Sequence, residues 1–160
     1  MRKRSKYRPK TIINDPIAYA ISSVQPITKY GSHILDVKIK NHDAMNALLF
    51  GKATVNDMDM LIRMANVCEA LYRLGFGRDY KDVVNEGLEA LYQIGTRGYP
   101  TQTFVCKLQE VTNMNDLMEL HDAQMDVITV RDMEKALVLV QHEFKLRKMR
   151  KIGELNEQIV

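Results

Sequence analysis

Residues 54–75 read TVNDMDMLIRMANVCEALYRLG, and this stretch decides the fold. Thr54 is followed three residues later by Asp57, a capping box with Asp in place of Glu, so a helix starts at residue 55. Its polar residues, Asn56, Asp59, Arg63, Asn66, Glu69 and Arg73, form one narrow strip on an otherwise apolar surface. A helix with so thin a polar strip must be covered by neighbours on several sides. The pattern therefore predicts a central, buried helix over 55–74, ended by Gly75 and Gly77. Asp59–Arg63 and Glu69–Arg73 are spaced i,i+4 with the acid first, the favourable order for ion pairs.

Amphipathic segments flank this helix. Upstream, Asp15-Pro16 opens a short helix with Asp as N-cap, and Ile17, Ala18, Ala20 and Ile21 are expected to be buried. Pro26 and the stretch from Lys29 to Ser32 mark its exit. A second helix is expected over about 33–50, with Leu35, Ile39, His42 and Leu49 along one strip, Ile34, Met45 and Leu48 beside it, and Gly51 as its stop. Downstream, 79–95 is amphipathic, its apolar face formed by Val84, Leu88, Leu91 and Ile94. Gly87 lies beside that face, where it costs up to ~1 kcal/mol against Ala unless another helix crosses closely. Gly98-Tyr99-Pro100 breaks the pattern, and 101–106 (TQTFVC) is the one stretch that reads as a short strand.

A fifth helix follows over 108–127, with Val111, Met114, Met118, His121, Met125 and Ile128 at alternating steps of three and four. Thr129, with Asp132 three residues on, caps a sixth, whose inner strip is Val130, Met133, Leu137, Val140 and Phe144. That helix is expected to continue into a basic run, with Leu146 and Met149 on a thin apolar edge. The sum is one all-α domain over 13–150, five to six helices in antiparallel helical hairpins around the central helix. It is preceded by a flexible basic arm, 1–12, and followed by a frayed tail, 151–160.

Two internal echoes stand out. HDAM at 42–45 and ATVNDMDML at 53–61 match HDAQM at 121–125 and ITVRDMEKAL at 128–137. CEALYRLG at 68–75 matches LEALYQIG at 88–95, each presenting Gly at an expected helix end. Duplicated hairpins or convergent helix-hairpin grammar both account for them.

A chain of 160 residues buries roughly 70% of its unfolded surface, enough for a core without staples. Cys68 and Cys106 form no CxxC and no zinc spacing, so they read as small hydrophobes in a reducing compartment. No apolar run reaches the roughly 18 residues of a membrane span, and no secretory signal follows the basic start. A cytoplasmic location with no membrane association is the expectation.

The formal net charge of +3 hides a segregation. Residues 1–10 (MRKRSKYRPK) carry six Lys and Arg and no acid, and 145–151 (KLRKMRK) carry five and no acid. The remainder holds 12 Lys and Arg against 20 Asp and Glu, a balance of −8. Arg2, Lys3, Arg4, Lys6, Arg8 and Lys10 interleave with Tyr7, which offers a stacking platform beside phosphate-binding cations. Lys145, Arg147, Lys148, Arg150 and Lys151 would lie along a rod suited to a duplex groove or an acidic protein. A tail folding back on the acidic body is the third outcome.

No phosphate loop, dinucleotide fingerprint, nucleophile elbow or zincin motif occurs. Gly75-Phe76-Gly77-Arg78 follows a helix instead of a strand, so its glycines read as helix stops. The pairs His42-Asp43 and His121-Asp122 are the candidates for metal, since all-helical phosphohydrolases of the HD type use such dipeptides. His33, His42, Asp43 and a later Asp could imitate that ligand set, but His42 and His121 both fall on apolar strips, which points to hydrogen-bonded residues in or near the core. No cofactor is implied. Met58, Met60, Met64, Met114, Met118 and Met125 read as core filling or as an adaptable partner surface.

The segments RKRSKYRPK, IKNHDAM, ATVNDMDMLI, EALYRLGFGRDY, HDAQM and TVRDMEKAL, in this order, resemble a family of small uncharacterised proteins of tailed bacteriophages and prophages. The resemblance implies a small intracellular protein acting on nucleic acid or host machinery, and it carries over no functional residue. Three functions are expected in descending order. The first is a non-enzymatic phage accessory protein binding nucleic acid through the basic ends. The second is a protein–protein adaptor or antagonist of a host enzyme or defence factor, and the third an HD-like phosphohydrolase. Self-association is open.

Overall fold

The computed structural model describes residues 15–146, and these form one all-α domain of six helices. They are α1 (Pro16–Ser23), α2 (Gly31–Leu49), α3 (Val55–Arg73), α4 (Lys81–Gly98), α5 (Leu108–Val127) and α6 (Val130–Lys145), with single 3-10 turns at Ile27–Tyr30 and Arg78–Tyr80.

The helix starts follow the capping chemistry. Asp15 accepts hydrogen bonds from the backbone N–H groups of Ile17 and Ala18, with Pro16 at the first helical position. Thr54–Asp57 and Thr129–Asp132 each close a reciprocal box, hydroxyl to backbone and carboxylate to backbone. The paired echo of the sequence is thus a paired structural device. Gly51, Gly75 and Gly77 take positive φ just past helix ends, as glycine stops do. The second echo is not symmetrical, because Gly95 lies buried inside α4, which continues to Gly98.

α3 packs against α2, α4, α5 and α6, the central position its thin polar strip demands. Met58, Leu61, Ala65, Cys68 and Leu71 on α3 are sealed from solvent. The most extensive contact is between α4 and α5. There Gly87 is buried, and a Cβ built on it would stand 2.7 Å from Leu117 Cβ. The glycine is the point where the two helices cross. α5 and α6 are joined by only Ile128 and Thr129, yet the main partner of α6 is α3.

Several expected faces turn out differently. On α2 the buried residues are Asn41, Ala44, Met45 and Leu48, while Leu35, Ile39, His42 and Leu49 face solvent. On α6 the fully buried residue is Ala136, and Leu137 and Phe144 stay exposed. Met45 and Leu48, expected beside the α2 strip, are its buried bulk; the alanines Ala44 and Ala136 on the two buried faces add little to a hydropathy strip. On α1, Ile17 and Ile21 are 75% and 60% exposed, because this short helix touches little besides α6. The Tyr19 hydroxyl donates to Glu134 there at 2.7 Å.

Residues 101–106 form no strand. Phe104 instead drives its ring into the core beside Gly98, stacked edge-on against Tyr99 with centroids 5.3 Å apart. The one β-bridge among the described residues pairs Pro26 with Thr129. Ile27 N–H donates to Ile128 O, and Val130 N–H to Gln25 O, strapping the 24–30 connection to the α5–α6 corner.

Candidate functional site

The basic candidates fall mostly beyond the described residues. Arg2, Lys3, Arg4, Lys6, Tyr7, Arg8 and Lys10 lie outside them, as do Arg147, Lys148, Arg150 and Lys151, and with them the proposed arm and tail. Lys145 is described. It ends α6, is exposed, and pairs with no carboxylate among the described residues.

The ion pairs of the body are internal struts. Lys38 bonds Asp126 at 2.7 Å and ties α2 to α5. Arg73 bonds Glu69, as its spacing foretold, and also Glu143 on α6. Arg97 grips Glu110 through both guanidinium nitrogens and reaches the Val105 carbonyl. Burial pushes the Glu110 carboxyl upward, but hydrogen bonds from Arg97 and from the Lys107 backbone outweigh it and hold the pKa below the usual range. The expected Asp59–Arg63 pair does not form. The Tyr99 hydroxyl donates to Asp59 at 2.9 Å, and no described carboxylate holds Arg63.

The two His-Asp dipeptides are brought together, though not as a metal centre. His42 Nε2 meets Asp122 Oδ2 at 2.7 Å across α2 and α5. Asp43 points to solvent, and His33 is exposed. Among the described residues no group of three His, Cys, Asp or Glu converges as metal ligands would. His121 is buried at 3% exposure, and burial pushes its pKa down to about 4, so the ring is neutral at physiological pH. No partner meets full hydrogen-bond geometry at its Nδ1, at Asp122 Oδ1 or at Gln124 Oε1 among the described residues, but the Gln124 side chain lies beside the ring and works against the downward shift. His121 is buried as expected, while His42 makes the expected hydrogen bond but at the surface.

Most of the methionines fill the core: Met58, Met64, Met114, Met118 and Met125 are 3% exposed or less, while Met60 is half-buried. Met60, Met64 and Met125 also line a cavity beside α3.

A feature the sequence pattern did not disclose is a groove. The N-terminal half of α2 and the length of α6 stand on either side of α3, and between them lie two adjoining cavities of about 380 Å³ and 560 Å³. They share Arg63, Val67 and Leu137. Ile34 and Val37 form one wall, Met133 and Leu137 the other, and His121 and Met125 lie beneath. Lys40, Asn41 and Arg63 are its polar lining on the α2–α3 side. Hydropathy strips missed it because its walls are Leu137 and Val37, residues assigned elsewhere or passed over.

No protein-family model, no curated protein and no solved structure matches the chain. No helix among the described residues is long and apolar enough to cross a membrane.

Proposed function

We propose that the chain is a non-enzymatic accessory protein, of the phage setting its motifs resemble, that binds nucleic acid through its basic ends. The observation that carries this reading is the charge segregation: 11 of 23 Lys and Arg fall in 17 terminal positions around a body of opposite sign. One feature of the described residues supports it. Lys145, the first of the C-terminal cluster, has no carboxylate partner among them. Cations of this kind contact phosphates without reading sequence, and their affinity falls with salt through counterion release.

The test is fluorescence anisotropy on a generic labelled duplex between 50 and 200 mM salt. If the arm's six cations each meet a phosphate, the log–log slope contains roughly −5 from the arm alone. Deleting residues 2–10 removes that share and flattens the slope, while circular dichroism keeps its helical signal. Binding that ignores salt and survives the deletion overturns the proposal.

A further inference from the structure

We propose that the groove between α2 and α6 is a binding site for a small amphiphilic anion, an apolar chain or ring system carrying one carboxylate or sulfonate. The inference does not rest on nucleic-acid binding: of the terminal cations only Lys145 borders the groove among the described residues, at its outer cavity, and the anionic head is assigned to Lys40 and Arg63.

The two cavities together fall within the range of small-molecule sites, roughly 300–1,000 Å³, with mostly apolar walls and few polar groups. The space also extends below the surface. Asn41, Met64, His121 and Met125, which line it, are all buried, and an intact helix laid along the surface cannot reach that depth. A thin apolar chain can.

The polar lining is unused. Lys40, Asn41 and Arg63 border the same cavity, and none makes an ion pair or side-chain hydrogen bond to a described residue. Asp59, one turn back from Arg63, accepts from Tyr99 and makes no ion pair with Arg63. Asp59 is the one carboxylate in the lining, and it borders only the outer cavity. Two exposed cations beside the inner cavity complement a single anionic head.

The floor suits an apolar tail. His121 there is neutral, so it places no charge against that tail. A ligand therefore lies tail inward toward His121 and Met125, with its head between Lys40 and Arg63.

Dansyl-labelled undecanoate and its uncharged amide test this on the full chain, by fluorescence titration. The acid is expected to bind saturably, one per chain, about tenfold tighter than the amide. Arg63→Gln should bring the acid to within about threefold of the amide and leave amide binding unchanged. Leu137→Glu, on an exposed wall position, should weaken the acid by about tenfold more than the amide while circular dichroism stays unchanged. Equal affinity for acid and amide, an inert Arg63→Gln, or no saturable binding overturns the proposal. Sedimentation showing a ligand-free dimer that Leu137→Glu dissolves assigns the groove to a second copy and overturns it equally.

Discussion

Gly98→Ala tests the packing of the 99–107 connection most directly. A Cβ at this position would stand 2.2 Å from Phe104 Cδ1 and 2.8 Å from Cε1. Ordinary carbon contact is ~3.5 Å, so the ring must retreat by about 1.3 Å. Phe104 is 1% exposed and leans edge-on against Tyr99, so it has nowhere to retreat without losing core contact. Overpacking of this kind costs ~1–3 kcal/mol, and weakening the aromatic pair adds ~0.5–1.5. The helix-propensity gain of Ala over Gly returns at most ~1 kcal/mol, less at the last residue of α4. The expected net loss is about 2 kcal/mol, or roughly 6 °C in Tm for a chain of this size. Phe104→Ala alone should cost ~3–5 kcal/mol. The double variant should cost less than the sum by at least ~1 kcal/mol, because the atoms the new methyl meets have been removed. Urea unfolding followed by far-ultraviolet circular dichroism measures all three. A neutral or stabilising Gly98→Ala, or a strictly additive double variant, refutes the packing argument.

Three further outcomes are expected. Thr129→Ala removes one half of the α6 capping box and should lower stability by about 1 kcal/mol in the same urea assay, with Thr129→Ser near wild type. His121 has a folded pKa pushed down to about 4 against an ordinary 6.5, so between those values the unfolded chain binds the extra proton. Stability should therefore be flat above neutrality and fall with acid from about pH 6.5 toward 4, at up to ~1.4 kcal/mol per pH unit; His121→Gln should flatten that limb, and an unchanged pH profile would reject it. Burial pushes the Cys68 thiol up to about 12 and the Cys106 thiol up to about 11, so iodoacetamide at pH 8 should modify both at least about tenfold more slowly than a free thiol, with Cys68 reacting only on unfolding.

The sequence disclosed the helix order, the caps and the central place of 55–74, because those depend on local chemistry and on one unusually apolar helix. The Gly87 crossing was legible for the same reason: a glycine beside an apolar face needs a close neighbour, and Leu117 is that neighbour. Helix rotation was not legible. On α2 the buried face is Asn41, Ala44, Met45 and Leu48, and on α6 the one fully buried residue is Ala136; Asn41 and the two alanines carry little weight in a hydropathy strip, while the bulkier Leu35 and Phe144 face out. The pairing of His42 with Asp122 was hidden too, since each dipeptide is read along its own helix and the bond runs between helices. The groove escaped because it is a property of spacing between α2 and α6, and no single segment encodes it. The Phe104 plug was misread as a strand because a lone aromatic beside Val and Thr mimics one.

The central position of α3 bears on how the protein comes apart. Four helices lean on this one rod, so loosening any of them exposes apolar surface on α3 and weakens the hold on the other three. Cooperative, all-or-none melting of the bundle follows from that shared support. Among the described residues α1 is held mainly by one tyrosine–glutamate bond and a few contacts to α6, and its amides can open to solvent while the rest of the bundle stays intact.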